Sequence, residues 1–134
     1  MLTQTQLADV ARFLGQETEL AALWLFGSEA RGCARPDSDV DLAALFARAP
    51  SAEARLELAA ELSRLLQRDV DLVDLGTASP ALAMQVLRHG KLLVDGQPSL
   101  RVRFAAALPS RYEDLRLVRA PIEARIAERM HGRA

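Results

Sequence analysis

Two short motifs in the first third of the sequence contain residue types that handle phosphate groups and metal ions. The first is Gly27-Ser28, directly after a run of apolar residues, and the second is Asp39-x-Asp41, separated from the first by ten residues. Gly27 lets a phosphate approach the backbone, and the hydroxyl and backbone N–H groups at Ser28 can donate hydrogen bonds to it. The first motif therefore predicts an anion site for a phosphorylated ligand.

The two aspartates of the second motif have the spacing of a carboxylate pair that binds a divalent cation. Side chains alternate along a strand, so Asp39 and Asp41 share one face, with Cα atoms roughly 6.5 to 7 Å apart. Two carboxylates at this distance repel each other unless a cation lies between them, and oxygen ligands of this kind suit Mg²⁺. Val40 and Leu42 point to the opposite face and are expected to lie in the core.

The strands that must position these motifs are predicted from apolar patterning. Short apolar runs, bounded by turn residues, predict four strands: Leu20 to Phe26, Asp39 to Phe46, Val70 to Leu75, and Lys91 to Val94. The segment from Gly27 to Ser38, between the first two strands, is rich in turn residues. Both motifs therefore lie at the ends of predicted strands.

Helices are predicted around these strands. Thr3 or Thr5 can cap a first helix, and Gly15 supplies a stop for it. Ser51 can cap a second helix that runs to about Gln67. This second helix has a predicted buried stripe: Leu58, Leu62, Leu65 and Leu66.

Proline and glycine residues mark the later helices. The third begins at Ser79-Pro80 and ends at His89-Gly90. After Pro98 the pattern is again helical, but Pro109 and Pro121 are expected to cut it into pieces. The order of helices and strands predicts an α/β or α+β sheet with helices on at least one face.

Composition places the chain among soluble globular proteins of one domain. Its 134 residues are 50% hydrophobic and 26% charged, which excludes a disordered tail, and a single cysteine cannot form an internal disulfide. The formal net charge is -1, so no global positive field indicates a nucleic-acid partner. There is no uninterrupted run of about 18 apolar residues and no signal-peptide pattern, so we expect a cytoplasmic protein without a membrane span.

The extended motif from Gly27 to Leu42 resembles the signature of the DNA polymerase β-like nucleotidyltransferase superfamily. The fuller pattern, Gly-Ser-x-Ala-Arg-Gly followed by Ser-Asp-x-Asp-Leu, is similar to that of its smallest members, the minimal nucleotidyltransferases. The resemblance continues through the acidic strand Val70 to Leu75 and the segment Leu87 to Leu93, so it covers about residues 5 to 96. Many minimal nucleotidyltransferases are antitoxins encoded beside a HEPN-domain toxin ribonuclease.

The resemblance implies a fold, a reaction and a metal. The implied fold is α/β (α+β), a mixed sheet flanked by helices in a single domain over residues 1–98, and a helical tail over 99–134 packs on it or on a partner. The implied reaction transfers a nucleoside monophosphate from a triphosphate to a hydroxyl acceptor, with Mg²⁺ as the metal. In two-metal phosphoryl transfer, one ion activates the attacking oxygen and the other neutralises the triphosphate.

Carried onto this sequence, the resemblance implies two groups of site residues. Three aspartates are the implied catalytic residues and metal ligands: Asp39, Asp41 and Asp71. Four residues form the implied nucleotide-binding group: Gly27, Ser28, Arg31 and Ser38. From the residues alone, Arg31 can neutralise phosphate charge or be solvated, and Ser38 can order the turn before Asp39 by a local hydrogen bond.

The third carboxylate is open between two residues of one predicted strand. Asp71 and Asp74 are three positions apart, so they lie on opposite faces, and parity does not say which face carries the site. The resemblance implies Asp71, and Asp74 is the alternative.

The acceptor hydroxyl is expected to come from another protein. The sequence after Gly96 is too short for a substantial second domain that could present an acceptor. The leading hypothesis is an antitoxin that transfers AMP from ATP to a hydroxyl, expected to be a tyrosine, of a cognate HEPN toxin. The alternatives are an antitoxin that inhibits the toxin by binding alone and a nucleotidyltransferase that acts on a small hydroxylated molecule.

Several other residues have structural interpretations. Glu29 and Asp37 are expected to be solvated, and Trp24 is expected to lie in the core. Cys33 has no second cysteine or histidine near it in sequence that would indicate a metal site. In the tail, apolar residues at helix-like intervals pack on the chain's own sheet or in a partner's groove: Leu115, Val118, Ile122 and Ile126.

Overall fold

The computed structural model describes residues 2–33, 35 and 38–111 of the chain. In this part, four strands and five helices follow one another in chain order: α1 (Gln4–Glu17), β1 (Glu19–Phe26), α2 (Ser28–Arg31), β2 (Val40–Arg48), α3 (Ala52–Leu66), β3 (Val70–Asp74), α4 (Pro80–His89), β4 (Lys91–Asp95) and α5 (98–111). The predicted order of the four strands and the longer helices is confirmed, and α2 is an additional short helix in the segment predicted to consist of turns.

The strands form one mixed sheet in the order β3-β2-β1-β4. β1 is antiparallel to both of its neighbours, β2 and β4, whereas β2 and β3 are parallel. A parallel pair requires a crossover connection, and α3 provides it. β1 lies inside the sheet, and residues 21–26 are all buried, which explains the uninterrupted apolar run of this strand.

Helices cover both faces of the sheet and bury a separate apolar cluster on each. One cluster joins α1 and α3 to alternate residues of the strands: its members include Val10, Leu14, Leu25, Val40, Leu42, Leu62 and Leu66. The other joins α4 and α5 to the opposite face: its members include Trp24, Phe26, Ala43, Leu45, Val86 and Leu108. Trp24 is thus a core residue, and Val40 and Leu42 are buried as their parity predicts.

The predicted helix starts are confirmed. Thr3 caps α1 and forms a capping box with Gln6. The Ser51 hydroxyl accepts a hydrogen bond from the N–H of the third residue of α3. Ser79 caps α4 in the same way, and Pro80 is in the first turn of that helix.

Two details of the predicted helices are wrong. Gly15 does not end α1, which continues to Glu17, because the glycine lies on an exposed face where a helix tolerates it. Leu65 is not part of the buried stripe, because its side chain is 45% exposed. The buried residues Leu62 and Leu66 are four positions apart on one side of α3, and Leu65 lies at the edge of that side.

The prediction that Pro109 cuts the last helix is also wrong. α5 continues through Pro109 to residue 111, the last one described. Leu108 is 1% exposed, and Leu100 and Phe104 pack on the same cluster, so the contacts of this face outweigh the hydrogen bond that proline cannot donate. Asp37, Pro121 and the apolar tail residues Leu115, Val118, Ile122 and Ile126 lie outside the described residues.

Among the described helices, none is both long enough and apolar enough to cross a membrane.

Candidate active site

The candidate site lies where β1 ends and β2 begins. Phe26, the last residue of β1, pairs with Asp41 of β2. The next residue, Gly27, has φ 73° and ψ -150°, a backbone conformation that is essentially restricted to glycine. The chain turns there into the short helix α2, so the turn lies against the start of β2.

Gly27 and Asp41 are in direct contact across this turn. A Cβ placed on residue 27 would lie 3.3 Å from Cγ of Asp41 and would collide with its Oδ2. The Asp41 carboxylate therefore fills the space that a side chain at position 27 would need. Only a glycine meets both the conformational and the steric requirement here.

Ser28 is buried with its hydroxyl unsatisfied. The residue is 1% exposed, and its Oγ has no hydrogen-bond partner in the part of the chain that the structure describes. Leaving a buried hydroxyl without a partner costs about 1–3 kcal/mol. A phosphate oxygen bound at the Gly27 turn would supply the missing partner.

Asp41 and Asp71 are neighbours in the parallel pair of strands. Their Cα atoms are register partners, about 4.8 Å apart as in any sheet, and register partners project from the same face. Asp41 is 2% exposed and Asp71 is half-buried. Asp39, two residues before Asp41 and exposed, has the parity of the same face. The fold thus brings Asp41 and Asp71 to one face at one end of the sheet, and Asp39 directly precedes the strand that carries Asp41.

Asp74 lies on the other face of β3. Its register partner is Ala44, which belongs to the apolar cluster under α1 and α3. Asp74 therefore projects from the sheet face that this cluster covers, opposite to the face of Asp71. Asp74 is 4% exposed, and its Oδ1 accepts a hydrogen bond of 2.9 Å from the Gly76 N–H. This carboxylate therefore orders the turn after β3.

The donor set fits Mg²⁺ bound together with a nucleotide. Within the described residues, no three His, Cys, Asp or Glu side chains are grouped so that they could hold a metal ion by themselves. Mg²⁺ usually binds through one or two carboxylates plus substrate phosphates and water. Asp39, Asp41 and Asp71 offer hard oxygen ligands beside the turn where Ser28 lacks a partner, which suits such a shared site.

The two remaining predicted residues lie on the connection from α2 to β2. Arg31, the last residue of α2, is exposed. The Ser38 hydroxyl accepts a hydrogen bond of 2.9 Å from the Arg35 N–H, and the Ser38 N–H donates to the Arg35 carbonyl at 3.0 Å. Ser38 therefore orders the turn before Asp39, as the sequence suggests, and a nucleotide contact of either residue stays a prediction.

Sequence reasoning missed an ion pair behind the site. Glu29 is not solvated as expected: it is 4% exposed and pairs with the Arg68 guanidinium. Arg68 also donates two hydrogen bonds to the Ser38 carbonyl, of 3.0 Å from Nε and 2.7 Å from Nη2. The partners are 39 residues apart, so no local pattern could have indicated the pair.

Comparison with protein families gives one match that spans most of the chain. The family model described as "Polymerase beta, Nucleotidyltransferase" matches residues 8–99. Protein adenylyltransferase MntA of Shewanella oneidensis MR-1 is 40% identical over 104 residues, which are 78% of this chain and 74% of that protein.

Solved toxin–antitoxin structures have the same fold. A toxin–antitoxin structure with AMP-PNP matches with a TM-score of 0.78 and 35% identity, over 90% of this chain and 98% of that chain. A complex of a tri-AMPylated Shewanella oneidensis HEPN toxin with its MNT antitoxin matches with a TM-score of 0.74 and 33% identity, over 94% of this chain and 99% of that chain.

Proposed function

This chain belongs to the polymerase β nucleotidyltransferase family, and from that premise we propose that it is an antitoxin that transfers AMP from ATP to a hydroxyl of a cognate HEPN toxin. The similarity to an adenylyltransferase and to an antitoxin in complex with an AMPylated toxin supports the reaction and the partner. The observation in this chain that carries the proposal is the unsatisfied Ser28 hydroxyl beside the Gly27 turn and the Asp41 carboxylate.

The Gly27 turn binds the triphosphate of ATP. Gly27 leaves the backbone accessible, and the Ser28 hydroxyl donates a hydrogen bond to a phosphate oxygen, which removes the cost of its burial. Arg31 and Ser38, on the connection to β2, complete the nucleotide contacts. Arg31 is exposed and charged, so it can approach a phosphate without breaking an internal contact that the fold requires.

Asp39, Asp41 and Asp71 hold the metal and orient the reacting groups. When bound, Mg²⁺ neutralises the charge of the triphosphate and of the leaving pyrophosphate. Asp41 is fixed by its burial and by its place between Phe26 and Asp71 in the sheet, whereas Asp39 is exposed and can face the incoming acceptor. The carboxylates thus combine a rigid ligand with an accessible one.

The transfer forms one bond and breaks another. The acceptor oxygen forms a bond to the α-phosphorus of ATP, the bond from that phosphorus to the bridging oxygen breaks, and pyrophosphate leaves with that oxygen. The hydroxyl proton passes to water. We take a tyrosine of the toxin as the acceptor, and the cytoplasm, where ATP is available, as the place of the reaction.

Label transfer tests the proposal. The chain is incubated with Mg²⁺, the HEPN-domain protein expected beside its gene, and ATP labelled at either the α- or the γ-phosphorus. Label from the α-position should appear on the toxin, and label from the γ-position should leave with pyrophosphate. Transfer of the γ-label would indicate a kinase, and absence of both labels from the toxin would contradict the proposal.

A further inference from the structure

Asp39 lies just outside the hydrogen-bonded sheet. β2 begins at Val40, and its pairing with β1 begins only at Asp41, opposite Phe26. Two backbone hydrogen bonds flank Asp39: the Val40 N–H donates to the Asp69 carbonyl at 2.8 Å, and the Ser38 N–H donates to the Arg35 carbonyl at 3.0 Å. The Ser38 carbonyl, in the peptide that directly precedes Asp39, is bound by a side-chain partner.

Arg68 is that partner. Its Nε and Nη2 atoms converge on the Ser38 carbonyl at 3.0 and 2.7 Å, and its Nη1 pairs with Oε1 of Glu29, the residue after Ser28. The second Glu29 oxygen, Oε2, accepts a hydrogen bond of 3.2 Å from the Leu2 N–H. The Arg68 side chain is 10% exposed and that of Glu29 is 2% exposed. A planar guanidinium thus joins the residue before Asp39 to the residue after Ser28.

We propose that Arg68 is a positioning residue that fixes the Asp39 carboxylate relative to the Ser28 hydroxyl and thereby sets the affinity for the Mg²⁺-bound nucleotide. This inference rests on the proposed function, in which Asp39 is a metal ligand and Ser28 a phosphate donor. A guanidinium is suited to the task because it presents its donors in a rigid fork. Partners outside the ligand sphere that orient a ligand typically change metal affinity or activity by about 10- to 100-fold.

The geometry of the Arg68–Glu29 pair is more informative than its presence as a buried ion pair, although removing Arg68 alone would leave the Glu29 charge buried and unpaired and so destabilise the fold. A buried ion pair is often no more stabilising than apolar side chains of similar volume, because both charges lose their hydration. The Arg68 contacts converge on two short segments of the candidate site. Because Arg68 acts through Asp39, its removal should weaken nucleotide binding when the metal is present, and should leave metal-free binding unchanged.

The test compares Arg68→Gln and Arg68→Lys with a matched control, Arg101→Gln. Arg101 also pairs with a carboxylate, Asp95, but at the end of β4 that pairs with Ala22, away from Phe26 and Asp41. Calorimetry measures the dissociation constant of α,β-methylene-ATP, which cannot transfer AMP, once with Mg²⁺ and once with EDTA. Thermal unfolding of each variant shows whether it is folded at the assay temperature.

Both Arg68 variants should raise the dissociation constant about tenfold with Mg²⁺ and leave it unchanged in EDTA, whereas Arg101→Gln should change neither. Lysine keeps a positive charge beside Glu29 but lacks the paired donors that bind the Ser38 carbonyl. If Arg68→Gln is unfolded at the assay temperature, the affinity of Arg68→Lys therefore provides the test. Equal losses with and without Mg²⁺, or wild-type affinity in folded Arg68→Lys, would overturn the inference.

The proposed function is tested separately with the same proteins. If the wild-type chain transfers no AMP to the toxin, the proposed function fails. If the wild type transfers AMP and folded Arg68 variants bind the Mg²⁺-bound analogue as tightly as the wild type, only the role of Arg68 is contradicted.

Discussion

The Asp41 carboxylate occupies the space that a side chain at Gly27 would fill. A Cβ on residue 27 would lie 3.3 Å from Asp41 Cγ and closer to Oδ2 than Cβ atoms approach other atoms in proteins. The turn that we propose binds phosphate and the buried aspartate that we propose binds Mg²⁺ therefore fit against each other. A substitution at position 27 disturbs both at once.

We expect Gly27→Ala to abolish AMP transfer and to lower the free energy of unfolding by about 1–3 kcal/mol, since the backbone conformation at this position is strained for any residue with a Cβ. Urea denaturation measures the stability, and label transfer to the toxin measures the activity.

Gly15→Ala is the matched control for this change. A Cβ at Gly15 would meet no atom within 4 Å, and the residue lies in helix α1. Alanine is favoured over glycine in a helix by about 0.5–1 kcal/mol, so the control should be slightly more stable and fully active. Wild-type activity and stability in Gly27→Ala would contradict the fit between Gly27 and Asp41.

We expect Ser28→Ala to separate stability from binding. The variant removes a buried hydroxyl that has no partner among the described residues, so the free energy of unfolding should stay the same or rise by up to about 1 kcal/mol. The dissociation constant of α,β-methylene-ATP should rise about tenfold or more, because a hydrogen bond to a charged phosphate is lost. Denaturation and calorimetry measure the two effects.

Ser51→Ala should behave in the opposite way. The Ser51 hydroxyl accepts a hydrogen bond of 3.0 Å at the start of α3, so its loss should cost about 1 kcal/mol of stability and leave nucleotide binding unchanged. A marked loss of stability in Ser28→Ala, with unchanged affinity for the nucleotide analogue, would mean that Ser28 serves the fold and not the ligand.

We expect Asp71→Asn and Asp74→Asn to differ in activity although the chemical change is the same. Asp71 is the register partner of Asp41, so its neutralisation should lower the rate of AMP transfer by about a hundredfold. Asparagine at position 74 keeps the oxygen that accepts the hydrogen bond from Gly76, so this variant should be close to wild type in activity and stability. A large loss of transfer in Asp74→Asn, with Asp71→Asn active, would reverse the assignment of the third carboxylate.

The sequence was sufficient to predict the four strands and the longer helices, but not the short helix α2 in the turn-rich segment after Gly27. Helix starts at Thr3, Ser51 and Ser79 follow from local hydrogen bonding, so short-range chemistry predicts them. Helix ends were harder to predict, because exposure lets α1 pass Gly15 and packing lets α5 pass Pro109.

Contacts between distant parts of the chain could not be predicted in the same way. Parity separates Asp71 from Asp74, but only the parallel register of β2 and β3 places Asp71 beside Asp41. Likewise, the local sequence predicts that Glu29 is solvated, but in the fold it is buried in an ion pair with Arg68. Strand order and buried ion pairs depend on tertiary structure that no short window of sequence contains.

The most direct test of AMP transfer is the intact mass of the HEPN toxin after incubation with this chain, ATP and Mg²⁺. The wild-type chain should add one or more AMP units to the toxin, and the Asp39→Asn, Asp41→Asn double variant should add none. A toxin of unchanged mass that nevertheless forms a stable, neutralised complex with the wild-type chain would contradict the enzyme and favour inhibition by binding alone.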